Sequence, residues 1–136
     1  MKYELVHRPK PIAIEIESRD FRRFGETGDV VLKSPSCNAS GQLVNISMNG
    51  LLGRFHHHSA LPGLFGKVAV GVRLHGEERI FKVYGTVVRI QIAGTDPDSE
   101  YIEFAVKFSG LIPQEKHELK ALVHTLRGRA RKCPYF

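Results

Sequence analysis

Two short clusters carry the side chains best suited to chemistry. Arg19, Arg22 and Arg23 place three guanidiniums within five residues, and Asn45, Ser47 and Gly50 follow in Asn45-Ile46-Ser47-Met48-Asn49-Gly50. Strand side chains alternate faces, so Asn45 and Ser47 point the same way if that stretch is extended. A face offering both hydrogen-bond donors and acceptors beside a cationic arm suits a ligand with purine edges and phosphates. That combination describes a receptor and not an enzyme.

Elements must position these groups. Ile12, Ile14 and Ile16 alternate with Ala13, Glu15 and Glu17 behind Pro11, which reads as an edge strand. Val30-Val31-Leu32 reads as a strand ended by Ser34-Pro35-Ser36, and Gln42–Ser47 and Leu51–Phe55 as a pair around Met48-Asn49-Gly50. An Asn-Gly pair between apolar runs predicts a type I′ hairpin, whose two central residues need positive φ. Lys67–Leu74 puts Val68, Val70 and Val72 on one face, and His75-Gly76-Glu77-Glu78 turns into a long β stretch, Arg79–Ile92. Tyr101–Phe108 alternates Ile102, Phe104 and Val106 against Tyr101, Glu103, Ala105 and Lys107.

The period then changes. Pro113 suits a first helical position, and Leu119, Leu122, Val123 and Leu126 recur at three- and four-residue steps. The helix is expected to run to about Arg127, with Gly128 as its stop. The fold expected is mainly β: a small six- to seven-stranded antiparallel barrel with a C-terminal α-helix. Residues 1–16 form a lead, 17–127 the domain and 128–136 a basic tail.

The 136 residues bound a single core. A formal charge of +6 favours an anionic partner and concentrates in Lys2–Arg23 and again in Arg127, Arg129, Arg131 and Lys132. No apolar stretch approaches the roughly 20 residues of a membrane span. The N-terminus lacks a secretory core, and Cys37 with Cys133 make no disulfide framework, so a cytoplasmic location is expected.

The order of features resembles the PilZ domain, a bacterial receptor module for the second messenger cyclic di-GMP. The resemblance rests on Arg19-x-x-x-Arg23 followed by Asn45-x-Ser47-x-x-Gly50. Gly85-Thr86-Val87-Val88-Arg89-Ile90, Ala105-Val106-Lys107-Phe108 and the terminal helix support it. Asn45 stands where the family more often has Asp, and Ser18 where it often adds another Arg. The resemblance implies that Arg19 and Arg23 grip phosphates and the O6/N7 edges of guanines, with Asn45, Ser47 and Gly50 completing the ligand face. Arg22 either assists or faces solvent, and Arg89 either reaches that face or covers the outside of the barrel. Phe21 and Phe24 either pack on the barrel after the arm docks or belong to the ordinary core.

Without ligand, the arm around residues 17–25 is expected to be mobile, and nucleotide to draw it onto the face of Asn45 and Ser47. No cofactor beyond the ligand cyclic di-GMP is implied, and the output is expected to pass to an unidentified effector protein. His56-His57-His58 alternate faces and do not converge on one ion. The carboxylate pairs sit beside turns or alternate along strands, and Cys37 has no base beside it in sequence. One alternative is a PilZ-like adaptor that binds protein and no nucleotide. A small-barrel nucleic-acid binder is disfavoured because no Trp and only scattered Phe are available for stacking.

Overall fold

Alternation in the apolar runs dictates a sheet with one buried face, and the sheet closes on itself. The computed structural model describes residues 15–21, 27–56, 61–93 and 101–131. Its strands are β1 (Gly28–Ser34), β2 (Cys37–Ile46), β3 (Gly50–His56), β4 (Lys67–Leu74), β5 (Phe81–Ala93) and β6 (Tyr101–Ser109), followed by helix α1 (Pro113–Arg131). The strands form a closed barrel in the order β1-β2-β3-β6-β5-β4, every pair antiparallel. Closure leaves the paired segments no free sheet edge.

Val68, Val70 and Val72 of β4, Leu51 and Phe55 of β3, and Ile102, Phe104 and Val106 of β6 are all buried in one core. Phe55 meets Phe104 edge-to-face at 5.5 Å between centroids, and Phe81 meets Phe108 at 6.1 Å. Leu119 and Val123 of α1 complete this core, with Leu122 and Leu126 packed against it. The helix therefore serves as part of the barrel's hydrophobic filling. It does not stop at Gly128, as expected, but continues to Arg131. Arg129, beyond the glycine, donates to the His75 carbonyl (3.0 Å) and to Glu77 (3.0 Å), which ties down the last turn against the loss of helix propensity.

Two further expectations change. β2 begins at Cys37, ahead of Gln42, because the short Pro35-Ser36 turn pairs Ser34 directly with Cys37. Ile16 is buried but stands outside any strand, just before a 3-10 turn at Ser18–Asp20, and residues 12–14 of the expected first strand lie outside the described residues.

The described part of the arm is docked, not loose. Ile16 and Phe21 pack with Val31, Ala69 and Ile80 as a second apolar cluster on the outside of β1 and β4. The Arg73 guanidinium lies 4.8 Å from the centre of the Phe21 ring. Asp20 bridges to Lys33 at 2.9 Å and accepts from the Glu17 N–H at 2.8 Å. Together these contacts make a latch.

Partial burial alone pushes the Asp20 carboxyl up, but the Glu17 N–H, Lys33 and Arg19 outweigh it and hold the pKa below its ordinary value. A carboxyl depressed in the docked state stabilises that state above the free value of 3.8, and the stabilisation is lost as pH falls through the docked value. Acidification below that value is therefore expected to release the latch before the barrel melts. The Ile16 methyl signals would report the release, and Asp20→Asn would abolish the acid step.

Candidate functional site

Strand geometry by itself would send Asn45 and Arg89 inward. Leu43 and Val87 are buried, and a residue two positions along a regular strand shares its neighbour's face. A bulge intervenes in each case. The register of β2 shifts between Leu43 and Asn45, and that of β5 shifts between Val87 and Arg89. The extra residues, Val44 and Val88, are exposed, and each bulge turns the next side chain outward.

The result is a row across four strands. Asn45 pairs with Leu52, Leu52 with Ala105, and Ala105 with Arg89. One step toward the β2–β3 loop, Gly50 pairs with Lys107 and Lys107 with Thr86. All of these but Thr86, with Ser47 and Val88, line an open depression of about 660 Å³. That is within the roughly 300–1,000 Å³ typical of small-ligand sites.

The loop beside it is not the type I′ turn expected. Neither Asn49 nor Gly50 has positive φ, and Gly50 already belongs to β3. Ser47 builds the turn itself: its N–H donates to the Gly50 carbonyl at 2.8 Å, and its hydroxyl accepts from the Asn49 N–H at 3.2 Å. Asn49 in turn accepts from the Phe108 N–H at 2.9 Å, which fixes the loop to β6. Gly50 matters for close approach: a Cβ there would collide with the Val106 carbonyl oxygen.

The electrostatics favour an anion. Arg89 and Lys107 are exposed, and none of the described lining residues is acidic. Glu103 stands two residues from Ala105 along β6, but one of its oxygens accepts from both Arg54 Nε (3.2 Å) and Nη2 (2.8 Å). Arg54 is held further by the Tyr101 ring, 4.3 Å from its guanidinium carbon. The carboxylate of Glu103 is thus offset by its own partner, Arg54.

A family model for the PilZ domain matches residues 17–125. The chain belongs to the PilZ domain family. Among solved structures, the PilZ barrel superposes on the PilZ domain of YcgR from Escherichia coli with c-di-GMP. There the TM-score is 0.63 and the identity 13%, over 78% of this chain and 86% of that one. The Borreliella burgdorferi PlzA protein in complex with c-di-GMP gives a TM-score of 0.53 at 17% identity, over 74% of this chain and 45% of that one. The Bacillus subtilis inhibitor of motility, MotI/DgrA, gives 0.56 at 21% identity, over 78% and 48%. At such identities the likeness is one of fold, and this chain spans under half of the latter two proteins. No curated protein sequence matches it.

Of the residues singled out by sequence, Asn45, Ser47, Gly50 and Arg89 come together around the depression. Arg19 does not join them. It stands on the latch, 83% exposed and paired with Glu17 at 2.6 Å, over the β1–β4 side of the PilZ barrel. In the ring of strands that side is opposite β3–β6, which floors the depression. Arg22 and Arg23 lie outside the described residues.

Lys107 also lines the depression and was not singled out by sequence. Its alternation placed it on the outer face of β6, but only the β3–β6 pairing sets it opposite Gly50. His56 is exposed, while His57 and His58 fall outside the described residues; among those described, no three metal-ligating side chains converge. Cys37 is buried, which pushes its thiol pKa up and suppresses the nucleophilic thiolate. No helix among the described residues is long and apolar enough to cross a membrane.

Proposed function

We propose that this PilZ domain is a cytoplasmic, non-catalytic receptor for cyclic di-GMP. The observation that carries the reading is the pair of bulges that aim Asn45 and Arg89 outward onto one cationic depression. Asn45 offers an amide to a guanine edge, while Arg89 and Lys107 offer charge to phosphates. Two of the structural neighbours are described with c-di-GMP, which agrees with that chemistry. Ser47 is engaged in its turn, and among the described residues no histidine or carboxylate lines the depression, which supports a site that holds a ligand without transforming it.

Arg19, Arg22 and Arg23 supply the remaining grip. β1 pairs Asp29 with Gln42, so the chain enters β1 at the end of the barrel where β2 runs on to Asn45 and Ser47. Nucleotide draws the arginines there, and the latch on β1 and β4 opens so that Arg19 can follow. The exposed β1–β4 face and the repositioned arm together present a new surface to an effector protein. Opening is driven only by the difference in nucleotide affinity between the two arm positions.

Calorimetric titration of the chain with cyclic di-GMP, with GMP and cyclic AMP as controls, tests the reading. Saturable binding of cyclic di-GMP alone is the expected result. A flat titration at millimolar nucleotide would overturn it.

A further inference from the structure

Among the described residues, Phe65 is the one non-glycine residue with positive φ, at 63°. That conformation strains a bulky side chain, and the ring is 69% exposed, so core packing does not compensate. The backbone around it is pinned. Phe65 N–H donates to the Val87 carbonyl at 2.7 Å, Val87 N–H to the Gly66 carbonyl at 3.0 Å, and Gly66 N–H to the Gly63 carbonyl at 3.0 Å. Phe65 is therefore fastened to the β5 bulge that turns Arg89 outward. Val88, the extra residue of that bulge, is exposed and lines the depression.

A purine has polar edges but apolar faces. The depression provides Asn45, Arg89 and Lys107 for edges and phosphates, yet its apolar lining among the described residues is aliphatic (Ile46, Leu51, Leu52, Val88, Ala105 and Val106) and holds no aromatic ring. A flat apolar surface for a base is missing from the row itself. We infer that Phe65, backed by Val88, supplies it and stacks on one guanine of the bound nucleotide. The inference rests on the cyclic di-GMP reading and extends the site across β5 toward β4. It also explains why an exposed aromatic occupies a position that glycine would fill without strain.

The test is calorimetry with cyclic di-GMP on the wild type, Phe65→Gly and Phe65→Trp, with a thermal melt of each. Stacking on an aromatic predicts that Phe65→Gly loses affinity by roughly 5- to 150-fold. Its melting temperature should hold or rise, because glycine accepts positive φ. The chain contains no tryptophan, so Phe65→Trp introduces a single reporter whose fluorescence should be quenched as nucleotide saturates. Wild-type affinity in Phe65→Gly, or no quenching in a Phe65→Trp protein that binds, overturns the stacking role and leaves the receptor reading intact. The same holds if Phe65→Gly loses only binding to a protein partner. Absence of binding by the wild type overturns both.

Discussion

Arg23→Ala is expected to weaken cyclic di-GMP binding by roughly 10- to 150-fold, the equivalent of a lost charge-assisted contact of about 1.5–3 kcal/mol. Reach is the reason Arg23 is expected to be the dominant member of the cluster. It lies four residues before Thr27, so its backbone can extend about 13 Å from that residue, just ahead of β1, enough to bring a guanidinium over the barrel end that carries Asn45 and Ser47. Arg19 lies on the other side of Phe21, whose ring is buried against Val31 and Ala69. Its contact is made only after the latch opens, so its net contribution is the contact less the free energy of opening. An Arg19→Ala protein can still bind with the latch closed, and its loss should be the smaller of the two. Arg23→Lys should restore little, because an ammonium cannot reproduce the two-pronged fit of guanidinium to phosphate or guanine. Calorimetry gives the affinities, and unchanged thermal melts would show that the barrel is intact. Wild-type affinity in Arg23→Ala would remove the arm from the mechanism.

What the sequence disclosed divides along physical lines. The inward faces of β4 and β6 were legible because Val68-Val70-Val72 and Ile102-Phe104-Val106 alternate without interruption, and burial enforces that alternation. Asn45, Ser47 and Gly50 were legible as a group, but not the reason they form one. A bulge adds a single residue and leaves no compositional trace, so Val44 and Val88 look like ordinary strand valines until pairing shows them to be extra. Gly50 resembled a turn glycine because it follows Asn49, whereas its requirement comes from the neighbouring strand β6 pressing on it. Lys107 shares that dependence on long-range pairing. The latch was hidden for a different reason. Phe21 sits among arginines, and no local pattern distinguishes an aromatic that clips a tether to the outside of a barrel from one that enters its core.

Gly71→Ala is expected to tighten cyclic di-GMP binding, although residue 71 lies nowhere near the depression. Gly71 belongs to β4, pairs with Val31, and faces the underside of the latch. A Cβ there would come within 2.8 Å of Ile16 Cγ2 and 3.2 Å of Phe21 Cζ, so both side chains must give way. Crowding of this kind typically costs about 1–3 kcal/mol, and here only the latched arrangement bears it. The barrel itself gains from replacing a glycine within a strand. Apparent affinity scales with the fraction of molecules already open, so the increase should reach roughly 5-fold or more, up to the latch's own preference for the closed state. Combining Gly71→Ala with Arg19→Ala separates the causes: without the guanidinium that profits from opening, the gain should vanish. Equal affinity in Gly71→Ala and wild type, with the Ile16 methyl signals showing a displaced segment, would mean that binding is indifferent to the latch and that Arg19 never reaches the nucleotide.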